Sequence, residues 1–144
     1  MRTLRKLFQL SKLEAWLLVQ AAVLLPTVRL ALNIMPVSRL QQFGAGTVRG
    51  RRPPHLPPQA TARMVRVAAQ RGLCRAKCLE QSLVLRWLLW RQGIDARIFF
   101  GARKEDEQMQ AHAWVEVDGI SLDDDNDAHQ RFSPFEELAA SKVI

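Results

Sequence analysis

Three side chains in this sequence have the types and chain order that sulfur-based acyl chemistry requires. Cys78 opens the run "CLEQSLVLRWLLWRQG", His112 stands in "AHAWVEVDG", and the acidic cluster "DDDND" follows at 123–127. Attack on a carbonyl by sulfur needs a thiolate, a base to hold the proton and a group that orients the base. A cysteine in the first turn of a helix faces the positive end of the peptide dipoles, which lowers its pKa, and a nearby imidazolium lowers it further. A carboxylate on the far ring nitrogen fixes the imidazole tautomer. A trio of this kind also arises by chance, and a thiol on an apolar helix is commonly inert packing. From the residues alone Asp123, Asp124 and Asp125 all remain available as the third member. A zinc site from Cys74, Cys78, His112 and an aspartate would use acceptable ligands. The paired C-x-x-C spacing of structural zinc is missing, so no metal is expected.

The elements that must position these groups show in the hydrophobic rhythm. "SKLE" at 11–14 reads as a capping box that opens a helix. The apolar run 15–25 ends at Pro26, and residues 12–35 are expected as one or two helices, buried or docked on a partner. That run is shorter than the ~20 residues needed to cross a bilayer, and Arg29 interrupts any extension. The basic start resembles a signal n-region but no convincing small-residue cleavage site follows. "GAGTVRGRRPPHLPP" (44–58) is a loop by composition. Pro57 and Pro58 suit the entry to a helix stopped by Gly72. The helix carrying Cys78 is expected from about Arg75 to Gln92, stopped by Gly93, with Leu79, Leu83, Leu85, Trp87, Leu88 and Leu89 buried.

The period then changes from helical to alternating. Residues 95–103 and 111–119 read as strands joined by the polar loop "KEDEQMQ". In the second, His112, Trp114 and Glu116 share one face, and Ala113, Val115 and Val117 the other. Asp118–Gly119 marks a hairpin turn, so residues 120–122 should pair back. Adjacent strands lie ~4.8 Å apart, which brings the acidic cluster within reach of His112. "SPFEEL" at 133–138 carries the signature of a further capped helix. Helices followed by an antiparallel sheet define an α+β protein. The expected organisation is a basic helical segment and Gly/Arg-rich loop at 1–52, packed on or docking a catalytic core at 53–144.

Composition narrows the partners. A chain of 144 residues with 48% hydrophobic and 24% charged residues suits one compact domain and excludes wholesale disorder. Two cysteines four residues apart imply no disulfide framework and fit a reducing cytoplasm. The net charge of +7 conceals a split between a basic body and an acidic end beyond residue 104. The basic stretches at 2–12 and 49–52 carry no recognised nucleic-acid motif, so nucleic acid is not expected, and peripheral membrane contact is a secondary reading.

The residues around the trio carry a resemblance. "CLEQSLVLRWLLWRQGIDARIFFGAR", then "AHAWVEVDG", then "DDD" at this spacing resemble the transglutaminase-like superfamily. Within it, the chain looks like the leader peptidases of lasso-peptide biosynthesis over roughly residues 25–138. The resemblance implies a papain-like cysteine-protease core with Cys78 as nucleophile, His112 as general base and then acid, and Asp124, at the family's spacing, as the orienting carboxylate. It implies a ribosomally made precursor whose leader is held by a separate recognition protein, and an ATP-dependent cyclase that acts afterwards. No cofactor is expected here, since no phosphate-binding glycine loop occurs. The backbone N–H of Cys78 is the natural first oxyanion donor. A second is not identifiable, because Gly72 stands where papain-like enzymes carry an upstream glutamine. Trp114 either walls the substrate groove or shields the core. Trp87 and Trp90 read as core, Cys74 as packing, and His55 and His129 as surface. Two rivals stay open: an acyltransferase or amidase on the same scaffold, and a non-catalytic basic adaptor.

Overall fold

The computed structural model describes residues 10–43, 56–72, 75–122 and 133–134. Helix α1 runs from Lys12 to Ile34 as one element. Both arms of the expected capping box form: Ser11 Oγ accepts from the Glu14 N–H at 3.2 Å, and the Glu14 carboxylate accepts from the Ser11 N–H at 2.9 Å. The helix passes straight through Pro26, which has no N–H to offer the Ala22 carbonyl. Tertiary burial overrides that loss, because Leu17, Ala21 and Leu25 are buried on one side of α1, with Val28 and Leu32 packed beside them. A short helix α2, Val37–Gln42, follows and was not expected.

Helices α3, Pro58–Arg71, and α4, Cys78–Arg91, complete the helical layer. Pro58 starts α3 where a missing N–H costs nothing. Gly72 ends it, and a Cβ there would stand 2.4 Å from the Ala68 carbonyl oxygen. At the far end of α4, Gly93 has a φ of 78°. The N–H groups of Gly93 and Ile94 return to the Trp90 and Leu89 carbonyls, a Schellman closure that the sequence announces through its glycine. α4 begins at Cys78, three residues later than expected, so the cysteine is the first helical residue. Residues of α1, α3, α4 and the sheet share one hydrophobic cluster, centred on Ala21, Leu25, Val65, Val84, Leu88 and Leu89. The 1–52 segment therefore contributes core side chains through α1.

The sheet has the order β3-β2-β1-β4, with β1 at Arg97–Glu105, β2 at Gln108–Val117, β3 at Ile120–Ser121 and β4 at Ser133–Pro134. β2 pairs antiparallel with β1 and β3, and β1 with β4. The expected polar loop at 104–110 is instead the end of a long hairpin. Its strands pair out to Glu105 and Gln108, and only Asp106 and Glu107, with φ of 47° and 66°, make the turn. Both hairpin ends are solvent-exposed, so polar side chains suit both faces and no alternation marks the strands. The second hairpin turns at Asp118–Gly119 as expected, with φ of 52° and 77°. Helices and a small antiparallel sheet make this an α+β fold.

Candidate active site

The amino end of α4 and the middle of β2 meet at a cavity of about 250 Å³ whose lining includes Arg66, Cys78, Gln81, Ser82, His112 and Trp114. A specific clamp brings them together. Ser82 lies one turn beyond Cys78 on the same face of α4, and its hydroxyl donates to the Ala113 carbonyl at 3.1 Å in a buried bond. Ala113 is the neighbour of His112, so this bond fixes the height of the helix against the strand. On the other side, Arg66 reaches from α3 to the Leu122 carbonyl at 3.3 Å, tying the third helix to the end of the β3 strand.

Cys78 is half-buried, and its thiol is held below its ordinary pKa. The largest cause is a hydrogen bond with the His112 side chain. Burial opposes it, and the backbone N–H groups of Ala113 and Leu79, together with the charge on His112, add to the lowering. Of these donors, the Leu79 N–H belongs to the first turn of α4, where no intrahelical acceptor exists. The Glu80 carboxylate turns back to accept the Lys77 N–H at 2.9 Å, one arm of a capping box. A lysine side chain has no acceptor, so the second arm cannot form.

His112 is braced from behind. Its ring lies over Trp114 with centroids 6.1 Å apart at 16°, and Trp114 lies over Phe99, its partner across the β1–β2 ladder, at 6.0 Å and 18°. The Trp114 indole N–H donates to the Glu116 carboxylate at 2.6 Å. At 2% exposed, Trp114 contributes to the cavity lining but presents almost no surface of its own. Of the aromatic residues on α4, Trp87 packs against the core, half-buried, with the Arg91 guanidinium 4.9 Å over its ring.

The structure thus brings together Cys78 and His112. Asp124 lies outside the described residues, as do Cys74, His55 and His129. Reading the sequence missed Gln81, Ser82 and Arg66 as parts of this cavity. The first two have a signal, three and four residues after Cys78 on a helix, whereas Arg66 comes from a different helix and has none.

A thiol on a helix N-terminus that shares a hydrogen bond with a strand-borne imidazole is the equipment of thiol-based acyl transfer. The sequence model of the transglutaminase-like superfamily matches residues 16–137, and the chain belongs to that superfamily, whose members include cysteine peptidases and acyltransferases. No curated protein and no solved structure matches the chain.

Proposed function

We propose that this protein is a cysteine peptidase, papain-like in its chemistry, that removes the leader from a ribosomally made lasso-peptide precursor in the cytoplasm. The observation that carries it is the Cys78–His112 pair in one cavity at the start of α4. The finer assignment draws on the resemblance of the "CLEQS" and "AHAWVEV" segments to lasso leader peptidases.

In this reading the Cys78 thiolate adds to the scissile carbonyl carbon while His112 holds the thiol proton. The tetrahedral adduct collapses, the C–N bond breaks, and His112 delivers its proton to the departing amine. Water then gives a proton to His112 and its oxygen to the thioester, releasing the leader acid and restoring the thiolate. Asp124 orients the imidazole from its far nitrogen. A separate leader-recognition protein presents the precursor, and the ATP-dependent cyclase takes up the freed amine.

The test mixes the protein with precursor and recognition protein and weighs the products. Expected are two fragments summing to precursor plus one water, strongly dependent on the recognition protein, and none with Cys78→Ala. Cleavage by that variant defeats the proposal. An amine-containing adduct in place of the free leader acid would assign the chain to the acyltransferases of its superfamily. Intact precursor with an unreactive Cys78 would leave a non-catalytic adaptor.

A further inference from the structure

Gln81 has no part in the thiol–imidazole pair, yet its carboxamide is fixed beside it. It follows Cys78 by three residues, so the two side chains project from one face of α4. Helical side chains lean toward the N-terminus, and Gln81 reaches past the first turn to donate from Nε2 to the Ala76 carbonyl at 2.9 Å. Only the nitrogen can donate to a carbonyl, so this bond decides which end of the carboxamide faces the helix start. The Nε2 atom carries two hydrogens, and the second has no partner among the described residues.

Of the other polar side chains lining the cavity, Gln70 is exposed on α3, and Ser82, Trp114 and Arg66 hold bonds of their own. The Ser82 hydroxyl donates to the Ala113 carbonyl, and the Trp114 indole to Glu116, both in buried bonds that turning toward the cavity would break. The Arg66 guanidinium is engaged at the Leu122 carbonyl. The Cys78 backbone N–H, by contrast, stands at the first helical position, where no intrahelical acceptor exists.

We propose that the Gln81 carboxamide is the second oxyanion donor, acting with the Cys78 backbone N–H on the oxygen that becomes negative when the sulfur adds to an acyl carbon. The bond to Ala76 holds the donor in place before reaction, so no reorganisation is needed as charge develops. This inference rests on Cys78 being the nucleophile, and it fills the role of the missing upstream glutamine with a residue one turn downstream.

Two small reagents isolate the effect without a peptide substrate. With p-nitrophenyl acetate, the Cys78 sulfur bonds to the acetyl carbon through a tetrahedral oxyanion, and p-nitrophenolate leaves with the electrons of the ester bond. With iodoacetamide, the same sulfur displaces iodide from a saturated carbon, and no oxyanion forms. Both rates are read at Cys78 by peptide mass mapping, in the full chain, for wild type, Gln81→Leu and the similar-sized, uncharged Gln81→Met. Losing one oxyanion donor costs on the order of 10²–10³ in rate, so acylation should fall by about that factor in both variants while alkylation is unchanged. Acylation and alkylation falling together, or neither falling, would overturn the proposal for Gln81 alone. A wild-type Cys78 that alkylates but is never acylated would overturn the nucleophile reading, and this one with it.

Discussion

The Cys78 thiol is set apart by its surroundings rather than by its identity. A half-buried thiol would ordinarily be harder to ionise, because burial penalises the anion. Here the His112 hydrogen bond outweighs burial, with help from the Ala113 and Leu79 N–H groups, so the net shift is downward. The thiolate is the reactive form, and the pH midpoint of alkylation therefore reports the pKa directly. In native protein that midpoint should lie below that of the same cysteine in the urea-unfolded chain. His112→Ala removes the largest lowering cause and leaves burial in place, so the midpoint should move up. An unchanged midpoint would mean that the imidazole does not control the sulfur. The shift also links to stability. A depressed folded pKa stabilises the native state fully above the unfolded thiol's pKa, and the contribution is lost as pH falls through the folded value. At this scale the sequence was readable for Cys78 and His112, because helix starts and strand alternation are local signals. It was silent on Arg66, whose place near Leu122 depends on how distant elements pack.

At the scale of elements, local chemistry and tertiary packing compete most openly in α1. The sequence signals a stop at Pro26, and the chain continues because Leu17, Ala21 and Leu25 are buried on one side of a longer helix. The Thr27 hydroxyl adds a bond to the Val23 carbonyl at 2.8 Å, which is not the Ala22 carbonyl that the Pro26 N–H would have reached. Proline costs ~3 kcal/mol relative to alanine inside a helix, and its restraint of the unfolded chain returns only ~0.4–1 kcal/mol. Pro26→Ala should therefore stabilise the protein by about 2 kcal/mol, a rise of several degrees in Tm. A fall in Tm would show that the neighbours of α1 are shaped to the proline ring. The same competition explains what was and was not legible in the sheet. Asp118–Gly119 declares its turn through residues that tolerate positive φ, and the turn forms where expected. Asp106–Glu107 makes an equally tight turn without glycine or asparagine, so the outer halves of β1 and β2 pass for a loop. Ser11 and Glu14, in contrast, need only each other, and their box was readable outright.

Across the described residues, the outer side of α1 presents an apolar stripe. Trp16, Val19, Val23, Leu30 and Ile34 follow the period of α1, on the side away from Ala21 and Leu25, and each is at least 54% exposed. Soluble proteins rarely show a contiguous apolar patch larger than a few hundred Å². The length and hydropathy of α1 would suit a membrane span, yet its opposite side supplies Leu17, Ala21 and Leu25 to the shared core. A helix embedded in lipid on every side could not do both. The stripe's contribution to folding follows from its exposure: side chains that stay in water lose little when made polar, and glutamine is a better helix former than valine. The triple variant Val19→Gln, Val23→Gln, Leu30→Gln should thus unfold at the wild-type temperature or slightly above it. The wild type, carrying the intact stripe, should scatter more light as its concentration rises. A drop of several degrees in the variant's Tm would mean that another part of the chain packs on this face in solution. That outcome would reassign α1 from a half-covered outer helix to an interior one.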